Sequence, residues 1–239
     1  MLAVDFHCHS LFSHCGLHTH VELLTRAREL GLAGLAITDH GPDIGGRVSA
    51  PFFERLHDPV PGIRLLKGME SNLRGCEGEI DVPAWALKFL DILLLGLHPN
   101  TPTGLGAEEN TRILLAALAR NPAVDLVTHP ADAAFPVDFD RLATAAAATG
   151  VALELNNSKL LLSRVDRKPV HALVRACKAA GCRMAVCSDA HALNEIGLDD
   201  FARRVLRDEA FPAELLVNDT AEKAFAFIAE RRAGKRSPA

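Results

Sequence analysis

Short apolar runs alternate along the chain with longer segments whose apolar residues recur at helical spacing. Seven runs read as strands: Ala3 to Phe6, Leu35 to Thr38, Arg64 to Gly68, Ile92 to Gly96, Asp125 to Thr128, Ala152 to Leu155 and Met184 to Cys187. Helices are predicted over Val21 to Leu30, Ala107 to Arg120, Phe139 to Thr149 and Val170 to Ala180, with Gly31, Gly150 and Gly181 as stop signals just past three of them. Strand alternating with helix predicts successive βα units and a largely parallel, buried sheet. Gly41 to Gly62 and Ser71 to Asp91 are weakly periodic and rich in Gly, Pro and acids, and read as loops carrying short helices. A last amphipathic helix is expected over Ala221 to Arg232, and no linker or repeat divides residues 1–239, so a single domain is expected.

Composition narrows the class of protein. Hydrophobic residues are 49% and charged residues 23% of the 239, with a mean hydropathy of +0.11, which excludes a disordered polyelectrolyte. The longest apolar run, Ile92 to Leu97, falls far short of the roughly 20 residues that cross a bilayer, so no membrane association is expected. The start of the chain has no basic, apolar leader pattern, and a cytoplasmic location is expected. The balance of 26 Lys plus Arg against 30 Asp plus Glu gives −4, with no basic stripe before Arg231 to Arg236. Together with 11 Phe, 1 Trp and no Tyr, that offers little to a polynucleotide backbone. Six cysteines without a CxxC pair read as reduced, mostly buried thiols.

Eleven histidines change the picture, because the strand-like runs end in metal-ligand chemistry. In order, the residues at or just after the runs are His7 and His9, His40, Glu70, His98, His129, Glu154 with Asn156, and Asp189 with His191. In an α/β barrel the C-terminal strand ends converge on one mouth, so ligands far apart in sequence would meet there. His7 and His9, like Asp189 and His191, lie two apart on extended segments and project to one side. Asp39 stands beside His40 as a carboxylate that could orient it. Glu70 is placed to bridge two cations, with a structural ion pair to Arg74 as its alternative. His98 and His129 each precede a proline, which favours an extended backbone at both. Mixed imidazole and carboxylate ligands suit Zn, Mn or Fe, and the sequence does not choose among them.

In these pieces the sequence resembles the polymerase and histidinol phosphatase (PHP) superfamily of metallohydrolases, most closely its stand-alone YcdX-like phosphatase branch. The matching segments are Asp5–Ser10, Ile37–Asp43, Gly68–Glu70, Gly78–Asp81, Gly96–His98, Thr128–Pro130, Leu153–Ser158 and Ser188–His191. The resemblance implies an α/β fold, a distorted (β/α)7 barrel, with three divalent cations at its mouth. It places His7, His9, Glu70 and Asp189 around the first, and Glu70, His98 and His129 around the second. His40, His191 and a residue from the loop after the first strand would hold the third. At that last position Cys15 aligns where the branch has histidine, with His14, His18 and His20 nearby, and His14 is the preferred ligand.

The activity this implies is hydrolysis of a small phosphorylated substrate by metal-activated water, with Glu70 and Asp189 in the catalytic machinery. Arg164 is a candidate guanidinium clamp on the phosphate, with Lys159 behind it. No GxxxxGK[ST] phosphate loop or GxSxG elbow is present. The alternatives are a nucleic-acid phosphodiesterase of the same superfamily and a metal-loaded binding module without turnover. A homo-oligomer is compatible with either.

Overall fold

A computed structural model describes residues 2–99, 106–158 and 167–236. Seven strands run parallel in the order β1 (Val4–Asp5), β2 (Gly34–Ile37), β3 (Arg64–Arg74), β5 (Ile92–Gly96), β6 (Leu126–Val127), β7 (Ala152–Asn156) and β8 (Met184–Cys187). The eighth, β4 (Glu79–Ile80), pairs antiparallel with the end of β3. The stretch Ser71 to Asp91, expected as a loop with short helices, therefore holds the second half of β3 and a hairpin, and none of it is helical. Its polar sequence gave no strand signal. The helices are α1 (His20–Glu29), α2 (Ala50–Arg55), α3 (Ala107–Arg120), α4 (Phe139–Thr149), α5 (Arg167–Ala180), α6 (Asp200–Asp208) and α7 (Ala221–Arg236).

The sheet curls into a nearly closed barrel, and side chains close the seam between β1 and β8. Asn218 accepts from the Val186 amide at 3.0 Å and donates to the carbonyls of Val186 at 2.6 Å and Val4 at 2.9 Å, splicing the two edges. Buried Asp5 accepts from the Ser188 amide at 3.1 Å, and the His9 amide donates to Ala190 O at 2.8 Å. These bonds satisfy edge groups that would otherwise be exposed.

Period-two alternation divides the core into two layers. Val4, Phe6, Ala36, Leu66, Ile92, Leu94, Leu126, Ala152, Ala185 and Cys187 fill the barrel interior, plugged at the N-terminal ends of the strands by Ala224, Phe227 and Ile228 of α7. Their neighbours in sequence, among them Leu35, Ile37, Leu65, Leu93, Leu95, Val127, Leu153, Leu155 and Val186, face outward onto the helices. A strand buried on both faces shows no alternation of polarity, which is why these runs read as continuously apolar. The inward columns change character toward the C-terminal ends. Leu66 is followed by Gly68 and Glu70, Ala152 by Glu154 and Asn156, and Ala185 by Cys187 and Asp189.

Candidate metal centre

Glu70 is fully buried at the centre of the mouth, and its two oxygens face different groups of imidazoles. Oε2 lies 2.9 Å from His40 Nδ1, 3.4 Å from His7 Nε2 and 3.5 Å from His9 Nε2. Oε1 lies 3.0 Å from His129 Nε2 and 3.3 Å from His98 Nε2. Asp189 Oδ1 completes one side, 3.4 Å from His7 Nε2 and 3.3 Å from His9 Nε2. Three sets of potential ligand atoms lie within 4.8 Å of one another: His7, His9 and Asp189; His40, Glu70 and His98; and His9, Cys15, His40 and His191.

Glycine makes room for this crowding. A Cβ on Gly96 would stand 2.5 Å from His98 Cε1, 2.6 Å from Thr128 Oγ1 and 3.0 Å from Glu70 Oε1, and one on Gly68 would stand 2.4 Å from the Thr38 methyl. His129 and Asp189 adopt φ of +33° and +51°, a conformation costing roughly 1 to 3 kcal/mol for residues with side chains, held only where surroundings impose it. The proline after His129 predicted extended backbone there. The left-handed turn instead presents the His129 amide to Glu154 Oε2 at 2.5 Å and its ring to Glu70.

A second ring of partners orients the first. Glu154 Oε1 lies 2.7 Å from His7 Nδ1, which assigns the proton to Nδ1 and leaves the lone pair on Nε2, facing the centre. Asn156 donates to Glu154 Oε2 and Asp189 Oδ2, both at 3.0 Å, and Thr128 donates to Glu70 Oε1 at 2.8 Å. Asp39 does not reach the His40 ring. Its carboxylate accepts from the Ser10 amide at 2.8 Å, the Ser10 hydroxyl at 2.6 Å and the Ser13 hydroxyl at 2.7 Å. Ser13 Oγ in turn accepts from the His40 amide at 2.9 Å and lies 3.2 Å from His9 Nδ1. Asp39 thus clamps the loop after β1, a role its position beside His40 did not reveal, and Arg74 pairs with Asp43 rather than with Glu70.

The electrostatics of the mouth demand positive charge. Burial disfavours ionised Glu70, yet His98, His7 and His40 hold its carboxyl well below the usual range. Burial likewise opposes ionised Asp189, but His7 and His9 hold it well below its ordinary value. His7 is raised well above an ordinary imidazole because Asp189, Glu70 and Glu154 outweigh its burial, whereas burial and the His40 charge push His9 well below. Glu70 Oε2 and His40 Nδ1 are buried and face each other at 2.9 Å, and neither has a hydrogen-bond partner among the described residues. Lone pairs converging without enough donors between them fit divalent cations, whose charge would replace the proton the carboxylates draw onto His7.

The loop after β1 departs from the expected ligand. Cys15, not His14, lies with His40 and His191; the His14 ring stacks 5.9 Å from that of His40 and packs over Gly45, 3.2 Å from the position a Cβ there would take. His20 lies across α1, 4.0 Å from Asp39, and His18 lies 3.9 Å from Glu22. Burial would raise the Cys15 thiol, but the neighbouring rings of His191 and His40 outweigh it and bring it down to about 6. Arg164 and Lys159 lie outside the described residues.

A parallel barrel of seven strands with a carboxylate joining two imidazole clusters at its C-terminal mouth defines the class of metal-centre α/β barrels. Residues 5–128 match the PHP domain. A protein of Caldanaerobacter subterraneus subsp. tengcongensis named "Probable phosphatase" is 35% identical over 236 residues, 97% of this chain and 92% of that protein. The chain belongs to the PHP domain family. Among solved structures, a histidinol phosphate phosphatase from Lactococcus lactis, complexed with zinc, L-histidinol and phosphate, aligns with TM-score 0.60 at 16% identity over 88% of this chain and 94% of that one. A chain of archaeal ribonuclease P bound to mature tRNA aligns with TM-score 0.66 at 16% identity over 98% and 93%. Both share the fold.

Proposed function

We propose that this protein is a metal-dependent phosphatase that hydrolyses a small phosphomonoester at a trinuclear centre. The observation that carries the reading is the meeting, around the two oxygens of one buried glutamate, of five imidazoles from four separate strand ends. The "Probable phosphatase" relatives support the reaction class. Cations held there would supply positive charge to phosphoryl oxygens and lower the pKa of water towards about 7.

The protein's own groups divide the work. His7, His9 and Asp189 form one ligand set, and Glu70 with His98 and His129 forms another. Glu70 ties the two together, so its loss disturbs both at once. Glu154, Asn156 and Thr128 fix the direction of these ligands through the hydrogen bonds above, which keeps the lone pairs aimed inward before substrate arrives. Arg164 is the proposed guanidinium clamp on the phosphate of the bound substrate.

At the loop after β6, a cleft of about 530 Å³ is lined by Pro130, Asp132, Val137, Phe139, Lys168 and Arg175 among others, with no candidate ligand in its wall. That volume lies within the range of small-molecule pockets, and its apolar floor with two basic residues suits the body of a phosphorylated metabolite.

The test is turnover of a chromogenic phosphomonoester by metal-replete protein, with metal content measured on the same samples. Activity is expected to vanish on chelation and to return with zinc, manganese or iron. His7→Ala and Glu70→Ala should each lose at least about 100-fold in kcat. Metal retention without cleavage of mono- or diesters would favour a binding module, and preferential cleavage of oligonucleotides would favour the phosphodiesterase.

A further inference from the structure

Building on the metal-centre reading, we infer that Cys15 ligates one of the cations through its sulfur, together with His40 and His191, making that position a mixed sulfur and nitrogen site. The inference goes beyond the pattern of the family resemblance, in which a histidine stands at this place.

Four observations carry it. The Cys15 sulfur and nitrogens of His9, His40 and His191 lie within 4.8 Å of one another. Ligands of one tetrahedral ion, with bonds of about 2.0 Å to nitrogen and 2.3 Å to sulfur, lie roughly 3.5 Å apart, so only a small contraction is needed. His9 is committed elsewhere: its Nε2 lies 3.0 Å from His7 Nε2 and 3.3 Å from Asp189 Oδ1, and its Nδ1 is against Ser13. His40 turns only Nδ1 towards Glu70, at 2.9 Å, so its other ring nitrogen can join Cys15 and His191: three protein ligands with a fourth position for water or substrate, the arrangement of a catalytic rather than a structural site.

The ring of His191 is already set for the task. Its Nδ1 donates to the Asp189 carbonyl at 2.8 Å, which leaves the lone pair on Nε2. The loop holds Cys15 in place from both sides. Ser13 is clamped by Asp39 and bonded to the His40 amide, while the Leu17 amide donates to the His191 carbonyl at 3.0 Å. Gly16 lets the chain pass so close that a Cβ there would stand 2.1 Å from the Ser10 carbonyl oxygen. Sulfur is thereby brought to two imidazoles on a loop tied down at both ends, and a thiolate with imidazoles is the ligand chemistry of zinc and its spectroscopic substitute cobalt.

The full chain, freed of metal by chelation, is titrated with Co²⁺ and followed by absorption, and zinc content is measured after reconstitution. The wild type is expected to develop a sulfur-to-cobalt charge-transfer band. Cys15→Ser should lose that band and about one equivalent of zinc per chain, while keeping its circular dichroism. Cys15→His should regain the zinc without the band, and His14→Ala should alter neither. The comparison with Cys15→Ser is needed because buried Cys8 and Cys187 also lie near the mouth. A band or zinc content unchanged in Cys15→Ser overturns the inference, as does zinc lost from His14→Ala alone. If the wild type binds cobalt with no sulfur band, only the thiolate ligand is wrong; if it takes up no metal at all, the phosphatase reading falls with it.

Discussion

Glu70 and Glu154 both end inward-facing columns of the barrel, on β3 and β7, and both are buried to within 1%. Neighbours give them different work. Glu70 has imidazole nitrogens on both oxygens, whereas Glu154 is used up by His7 Nδ1, the His129 amide and Asn156, all turned away from the centre. Position after an apolar run marked both as ligand candidates and could not separate them, because the distinction lies in which partner each oxygen meets across the barrel. Glu154→Gln keeps shape and volume but loses the charge that fixes the His7 tautomer. It is expected to weaken metal affinity or kcat/KM by about 10- to 100-fold. Calorimetric zinc titration and steady-state kinetics on the same variant measure this. Glu154 would instead prove a direct ligand if the variant lost a full equivalent of metal.

The glycine stop was legible where Gly150 ends α4 at a φ of +69°. The start of α1 was not read, although Thr19 caps it, accepting from the Glu22 amide while Glu22 accepts from the Thr19 amide at 2.8 Å. Asp200–Asp208 is a helix that no such reading suggested, being dominated by charge, with Phe201, Ala202, Val205 and Leu206 as its buried stripe. Strand β4 was equally hidden, since two residues paired to β3 leave no periodic signal. On β5 the informative residue is the one without a side chain. Gly96→Ala should push Cβ against His98, Thr128 and Glu70, with a stability cost of about 1 to 3 kcal/mol and a larger proportional loss of activity than of fold. Thermal melts set against kcat/KM check it, and a variant as active as the wild type would show that the mouth yields more readily than close packing allows.

Across the whole molecule, the two ends of the barrel are built for different ends. The mouth carries strained backbone, buried charge and converging lone pairs, while the opposite end is closed by α7 with Phe227 stacked 6.1 Å from Phe6 and the Arg183 guanidinium over its ring. Arg231 ties the same helix to buried Asp125 at 3.0 Å. Phe227→Ala should cost about 3 to 5 kcal/mol, read as a fall in the denaturant midpoint, with kcat/KM unchanged at a temperature where the variant stays folded. A specific loss of activity there would mean that the plug and the mouth are coupled. The succession of seven buried parallel strands and the types of residue at their ends are properties of local order and composition, and the sequence by itself determined them. The alignment with the family already put Cys15 at the position of the usual histidine, and the structure sets it beside His40 and His191; tertiary structure alone decided that Asp39 serves the loop and not the ring, and that His129 turns left-handed before its proline. Each depends on a hydrogen bond or a close approach between residues 25 or more positions apart, as in the bonds from His129 to Glu154 and from Ser13 to Asp39. Such contacts come into being only when the barrel closes, and no spacing along the chain encodes which of several neighbouring side chains will then be in reach.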